Sequence, residues 1–254
     1  MRVTILGSGT HVPDPDRGPA GFLVEEGGAR VLVDGGSGTI GRLARAGVDA
    51  RDLDALVYTH RHVDHCADLA PILFTLCVPS ATVRTRELPV WAGEGFASFL
   101  AALQAAWGSW IVPSTFPLRV VELPLDGPGR ADLPGGLVLD TLPALHSAGA
   151  LHLKFTAPDR RTVVFSGDTA PSAGLVDLAR GCDLLVCECS LEDGQDVPGH
   201  LAPTDVAALA TQARPGRLVL THMYPREHPD GDVVRIASTG VPTLRARDGD
   251  AFDL

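Results

Sequence analysis

Apolar residues fall into two rhythms along the chain. Short apolar runs, many of them β-branched, read as strands at 3–6, 22–25, 30–34, 55–59, 90–91, 118–122, 138–142, 151–155, 162–166, 183–188, 218–221 and 243–247. Longer stretches with helical spacing predict helices at 39–46, 67–76, 95–106, 173–179 and 204–213. The run Pro158-Asp159-Arg160-Arg161 separates two strands and predicts a hairpin turn. Strands come in pairs early, a helix follows, and the pattern recurs in the second half. That order predicts an α/β chain built as a four-layer αββα sandwich, with two sheets face to face and helices outside. The Pro- and Gly-rich stretch 123–136 reads as a connection between halves of a single domain spanning 1–254.

Composition narrows the function. The chain has 254 residues, 45% apolar and 20% charged, which is enough to build a rigid core without disulfides or a structural metal. A net charge of -10 opposes the binding of polyphosphate backbones, so nucleic acid is a poor partner. No run of about 18 apolar residues is present, so no membrane association is expected. The start, Met1-Arg2-Val3-Thr4-Ile5-Leu6, lacks the apolar core of a secretory signal. Five irregularly placed cysteines then read as reduced thiols, and a cytoplasmic location is expected.

The chemistry concentrates in His60-Arg61-His62-Val63-Asp64-His65, directly after an apolar strand. Imidazole and carboxylate suit zinc, iron or manganese. In extended chain His60 and His62 share a side, because alternate residues do. Asp64 and His65 fall where the chain turns, and can face a second ion.

This His-x-His-x-Asp-His run resembles the signature of the metallo-β-lactamase superfamily of hydrolases. The resemblance continues through Asp34 in Leu32-Val33-Asp34-Gly35-Gly36, His146 in Pro143-Ala144-Leu145-His146-Ser147, Asp168 in Phe165-Ser166-Gly167-Asp168-Thr169, and His222 in Leu220-Thr221-His222-Met223. It implies two divalent ions, zinc by first choice with manganese or iron also suited. It assigns His60, His62 and His146 to one ion, Asp64, His65 and His222 to the other, and Asp168 as the bridge. Asp34 would support the site without touching metal. Two such ions share a hydroxide that serves as nucleophile. Asp168 stands where the best-known zinc β-lactamases have Cys, and His62 where redox diiron members have Glu. The first departure argues against antibiotic hydrolysis, and the second for hydrolysis over electron transfer.

Within the superfamily the chain resembles the ribonuclease Z and phosphodiesterase branch, through Phe165-Ser166-Gly167-Asp168-Thr169 and Gly199-His200-Leu201-Ala202-Pro203. The resemblance gives His200, with Asp64, the task of assisting the leaving oxygen; the alternative is that His200 caps the helix at Thr204. The long arm with which ribonuclease Z grips tRNA has no room here, since Asp168 comes only 22 positions after His146. No tRNA partner is therefore expected. The implied activity is a phosphodiesterase on a small molecule, a cyclic nucleotide or cyclic phosphate included, in a homodimer. Two other readings stand beside it: a carboxylic-ester, lactone or thioester hydrolase, and a non-catalytic metal-containing binding protein.

Secondary candidates complete the reading. Ser37, in Gly36-Ser37-Gly38 before a helix, offers amides that can hold an anion. Trp91, with Trp107 and Trp110, is a candidate wall for stacking a base. Gly7-Ser8-Gly9-Thr10 mimics a dinucleotide fingerprint, but Pro13, Pro15 and Pro19 forbid the required helix. A turn feeding the site's rim, with His11 nearby, is the better reading. Cys66, Cys187 and Cys189 read as packed, inert thiols.

Overall fold

The computed structural model describes residues 1–78, 83–195, 197–225 and 229–254. In it, β3 (Ala29–Val33) and β4 (Ala55–Val57) are buried on both faces. Val31, Val33, Ala55 and Val57 face one core, while Leu32 and Leu56 face another. Such strands need no polar side, which is why their sequences run continuously apolar.

These two strands sit near the middle of the first sheet. It also contains β1 (Arg2–Gly7), β2 (Gly21–Glu26), β5 (Leu88–Gly93), β6 (Leu118–Leu123) and β14 (Ala251–Asp253). The spatial order is β14-β1-β2-β3-β4-β5-β6. Pairings from β14 to β3 are antiparallel, and those from β3 to β6 are parallel. The second sheet comprises β7 (Gly129–Asp132), β8 (Val138–Pro143), β9 (Leu151–Thr156), β10 (Thr162–Phe165), β11 (Leu184–Glu188), β12 (Leu218–Thr221) and β13 (Thr243–Arg245). It repeats the plan in the order β13-β12-β11-β10-β9-β8-β7, antiparallel from β7 to β10 and parallel from β10 to β13.

Between the sheets lies a core drawn from both, including Val3, Ile5, Val33, Val57, Leu139, Leu153, Phe155, Phe165, Val186 and Val219. Outside the first sheet, α1 (Thr39–Arg45), α3 (Leu69–Cys77) and α4 (Phe96–Trp107) bury Leu43, Ile72, Leu73 and Phe96. Outside the second, α5 (Ala173–Ala179), α6 (Pro203–Ala213) and α7 (Pro229–Ala237) bury Leu175, Val206, Ala210 and Ile236. The layers are helix, sheet, sheet, helix, as the strand–helix order implies. Among the described residues no helix is long and apolar enough to cross a membrane.

The expected hairpin forms where the Pro-Asp-Arg-Arg run lies: the Ala157 amide donates to the Arg161 carbonyl at 2.9 Å, and Arg160 takes φ 75. Four elements lack the signals that reveal the rest. β7 reads Gly-Arg-Ala-Asp, with no apolar alternation, because it is an edge strand with little to bury. It lies inside the stretch 123–136, so that stretch is part of the second sheet as well as a connection. β14 has three residues and one buried side chain, Phe252. α7 contains a Gly and two Asp, and only Ile236 of it is buried. α2 (Val63–Cys66) is a single turn that splits from α3 ahead of the predicted helix start.

Candidate metal centre

The functional side chains converge at the carboxyl ends of the parallel strands, where open α/β sheets leave a crevice. β4 ends at Val57, and the chain passes a bend at Thr59 to His62, which is itself extended (φ -65, ψ 150), before α2 begins. His60 and His62 thus leave the segment between strand and helix, whereas Asp64 and His65 come from the helical turn. His146 lies in the β8–β9 loop and Asp168 follows β10. His222 follows β12 at φ 52, a left-handed conformation that costs a β-carbon-bearing residue about 1 kcal/mol.

Asp168 is the hub. Its Oδ2 lies 3.7 Å from His60 Nε2, 3.7 Å from His146 Nε2 and 3.6 Å from His222 Nε2, and its Oδ1 lies 3.4 Å from His65 Nε2. His146 Nε2 is 3.0 Å from His62 Nδ1, and His222 Nε2 is 3.2 Å from Asp64 Oδ2. These atoms fall into overlapping groups able to hold an ion: His60, His62, His146 and Asp168; Asp64, His65 and His222; and Asp168, His200 and His222. The structure therefore brings all seven predicted ligands into one cluster.

The donor set fits divalent metal. His60 Nε2, His65 Nε2 and Asp168 Oδ1 are buried without any hydrogen-bond partner. Orphaned buried polar atoms are costly, and a cation would satisfy all three. Most protonation states point the same way; His65 is the exception, where burial is outweighed by the charges and hydrogen bonds of Asp168 and Asp34, which raise the imidazole well above its ordinary value. Burial holds His60 well below the ordinary imidazole value, with His65 adding to the effect. Burial also brings His146 down to about 4, against the opposing pull of Asp168. Burial opposes ionisation of Asp64, but the hydrogen bond from His222 and the charges of His65 and His222 bring it down to about 2. Neutral imidazoles and an ionised carboxylate are the forms a metal binds.

Supporting residues hold these ligands from behind. Asp34, itself at φ 54, accepts from the Thr59 amide at 2.8 Å, the Thr59 hydroxyl at 2.7 Å and His65 Nδ1 at 2.9 Å. The Gly199 carbonyl accepts from His146 Nδ1 at 2.9 Å. Gly199 has φ 86, and a β-carbon there would come within 2.7 Å of that same nitrogen, so only glycine fits.

Glu188 is the residue that sequence reasoning passed over, apart from its flanking cysteines. It ends β11 and is buried. Its Oε1 accepts from the Thr169 amide at 2.7 Å and faces His200 Nδ1 at 3.2 Å. Its Oε2 accepts from the Ser190 hydroxyl at 2.6 Å and the Leu201 amide at 3.3 Å. Cys187 and Cys189 pack on the helix side of the strand. A carboxylate closing an otherwise apolar run, Leu-Leu-Val-Cys-Glu, was the available signal.

His200 does not cap a helix. α6 starts at Pro203, and its first amides are met by others: Asp205 accepts from Ala202, and Asp193 accepts from Thr204. His200 instead lies between Glu188 and the cluster, with Nδ1 4.0 Å from Asp168 Oδ2. Burial works against its charge, but Glu188, by hydrogen bond and charge, and the more distant Asp168 and Asp64 outweigh it and raise the imidazole above its ordinary value.

Two secondary candidates are corrected. Ser37 is exposed, and the amides around it are already taken, since the Asp68 carboxylate accepts from Gly38 at 3.0 Å and Ile40 at 2.8 Å. An internal carboxylate thus fills the place predicted for an anion. Trp91 is buried between the sheets and is not among the residues lining the cavity beside Asp168 and His222; Arg119 lies 5.6 Å from its ring. Trp107 and Trp110 are exposed, but they border an apolar groove with Phe74 between α3 and α4. At the rim, His11 meets Tyr224 edge to face at 5.5 Å, and Tyr224 lies 6.4 Å from both His200 and His222. The Cys66 thiol is buried, pushed up to about 12, and donates to the Arg61 carbonyl at 3.3 Å.

Known proteins match this arrangement. The model of the beta-lactamase superfamily domain matches residues 19–223. Ribonuclease Z of Mycobacterium bovis (strain BCG / Pasteur 1173P2) is 31% identical over 249 residues, covering 90% of this chain and 88% of that protein. The metallo-β-lactamase fold protein YhfI from Bacillus subtilis superposes with a TM-score of 0.83 at 24% identity, over 99% of this chain and 98% of that one. The short form of human tRNase Z superposes with a TM-score of 0.81 at 23% identity, over 100% and 99%. These two likenesses establish the fold.

Proposed function

The chain belongs to the β-lactamase superfamily and is a hydrolase of it; from that premise we propose a phosphodiesterase that uses two divalent ions, zinc by first choice, on a small diester. One observation carries the choice of bond: His200 is backed by buried Glu188 and stands beside the Asp168 and His222 side chains. A carbonyl ester with a good leaving group has little use for that pair. A phosphodiester alkoxide leaves poorly unless it is protonated or otherwise stabilised. The curated relative's name is that of a ribonuclease, whose scissile bond is also a phosphodiester.

Ions held by His60, His62, His146, Asp168, Asp64, His65 and His222 would polarise the phosphoryl oxygens and supply a nucleophile at neutral pH. The chain's own groups do the rest. Glu188 accepts from His200 Nδ1, which orients the ring and favours its protonated form. The protonated ring donates to the departing oxygen. Asp64, ionised and 3.2 Å from His222 Nε2, fixes the geometry on the other flank.

A small substrate follows from the chain between His146 and Asp168. It is spent on β9, a five-residue turn and β10, leaving nothing to form an arm. With a net charge of -10, this favours a cyclic nucleotide or cyclic phosphate over tRNA. Five free cysteines fit the reducing cytoplasm. The core shared by both sheets supports reading the chain as one domain.

We also propose a homodimer. Residues 96–117 contain no charged side chain, nor do residues 69–78, on a protein of net charge -10. Phe74, Trp107, Trp110 and Val112 are exposed there around a groove of about 440 Å³. Two like-charged copies meet with least repulsion through that face. Trp110→Glu should give a monomer by light scattering; a wild-type chain that is already monomeric at micromolar concentration contradicts the dimer.

The reaction is tested by offering zinc- and manganese-loaded protein bis(p-nitrophenyl) phosphate, 2′,3′- and 3′,5′-cyclic nucleotides, a lactone, a thioester and a tRNA precursor. His60→Ala serves as the inactive control. Diester turnover absent from the control is expected. Turnover of the lactone or thioester alone overturns the bond assignment, and preference for the precursor overturns the small substrate.

A further inference from the structure

Two hydroxyls stand between buried carboxylates and metal-facing imidazoles, one on each sheet. After β4, the Thr59 hydroxyl lies 2.7 Å from Asp34 Oδ2 and 3.1 Å from His60 Nδ1. After β11, the Ser190 hydroxyl lies 2.6 Å from Glu188 Oε2 and 2.9 Å from His222 Nδ1. Thr59 and Ser190 are both fully buried, so no solvent competes for these contacts.

We infer that Thr59 and Ser190 are positioning residues that fix the tautomers of His60 and His222, so that each ring presents a bare Nε2 to a metal ion. The reasoning is a count of protons. A hydroxyl has one proton to donate and lone pairs to accept with. Asp34 makes only acceptor contacts: the Thr59 amide, the Thr59 hydroxyl and His65 Nδ1 surround it. The Thr59 proton therefore goes to Asp34, and its lone pair is left facing His60 Nδ1. That nitrogen must carry a hydrogen, and the ring's one remaining lone pair is on Nε2.

Ser190 repeats the logic. Its hydroxyl also lies 2.6 Å from Glu188 Oε2 and 2.9 Å from the His222 carbonyl. Both are acceptors in this setting. The 2.6 Å contact takes the proton to Glu188, so the ring must donate from Nδ1. Were the hydroxyl to donate to the ring instead, its oxygen would face the Glu188 oxygen at 2.6 Å with no proton between them. The same contacts brace His222 in its left-handed backbone, since its carbonyl meets Ser190 and its amide donates to the Ser8 carbonyl at 3.0 Å.

The consequence reaches beyond the two rings. Asp34 orients His65 directly and His60 through Thr59. Glu188 orients His222 through Ser190 and faces His200 itself. Each carboxylate therefore serves two imidazoles, and each hydroxyl spares its ring a direct contact with a buried charge. Hydrogen bonds of this kind behind metal ligands typically carry 10- to 100-fold in affinity.

The inference rests on His60 and His222 being ligands, and not on the identity of the substrate. The test is zinc binding to the full chain by chelator competition, together with melting of the metal-free protein. Thr59→Val keeps the shape and removes the hydroxyl; Thr59→Ser keeps the hydroxyl. Thr59→Val and Ser190→Ala should each weaken one of two bound ions about 10- to 100-fold. Thr59→Ser should bind as wild type; Thr59→Val should melt lower without metal, because Asp34 loses a donor, yet stay folded at the temperature of the binding measurement. Wild-type affinity in Thr59→Val, or equal weakening in Thr59→Ser, overturns the relay. His60→Ala and His222→Ala separate the underlying question: if both still bind two ions tightly, the ligand assignment fails and the relay with it. If they lose zinc while Thr59→Val and Ser190→Ala do not, only the relay fails.

Discussion

His152 shows at the scale of one residue how burial becomes pH dependence. It is fully buried, with Nδ1 donating to the Ser166 carbonyl at 2.6 Å. Burial pushes it down to about 4, against the opposing effect of that hydrogen bond. The unfolded chain takes up this proton near pH 6.5 and the folded chain only near 4. Stability from this group is therefore complete above 6.5 and drains away as pH falls toward 4, by a total on the order of 3 kcal/mol. His152→Asn keeps a donor for the carbonyl and loses the titration, so urea midpoints should fall less between pH 6.5 and 4.5 than in wild type. Equal falls would show that His152 does not titrate this way. The clustered residues, unlike His152, were legible in the sequence: His60, His62, Asp64 and His65 are packed into one hexapeptide, and the rest stand in recognisable surroundings. Ser190 and Glu188 were not, because a serine and a glutamate acquire their meaning only from what folding places 3 Å away. Ser37 and Trp91 misled for the same reason. Nothing in the sequence says that Asp68 already occupies the Gly38 and Ile40 amides, or that the Trp91 strand is covered on both faces.

Elements were legible where burial dictates sequence. β3, β4, β11 and β12 face a core on both sides and announce themselves as apolar runs; β7 and β14 bury almost nothing and are silent. The turn 157–161 between β9 and β10 is exposed at its tip, and it lies at the end of the sheet remote from Asp168, because β10 runs toward the cluster. Length there should be cheap. Doubling a loop's length costs about 0.6 kcal/mol in closure entropy. Eight Gly and Ser residues inserted between Asp159 and Arg160 should leave turnover of a small diester unchanged and lower stability by about 1 kcal/mol. A loss of turnover would show that this end of the hairpin is coupled to the site.

At the scale of the molecule, the cluster is a seam. His60, His62, Asp64 and His65 come from the first sheet's half of the chain, and His146, Asp168 and His222 from the second. Ions held there would join the halves, and binding that favours the folded state stabilises it by mass action. Free zinc at about 100 times its dissociation constant should add about 2.7 kcal/mol, lost on chelation, and Asp168→Ala should abolish the gain. An unchanged melting temperature on chelation would contradict the seam. The central claim is that His200 serves the leaving group of a phosphodiester. It is tested most directly by kcat for alkyl aryl phosphodiesters of graded leaving-group pKa, in wild type and His200→Ala. The variant should lose about 10²- to 10⁴-fold with alkoxide-like leaving groups and little with p-nitrophenolate. An equal loss across the series would contradict it.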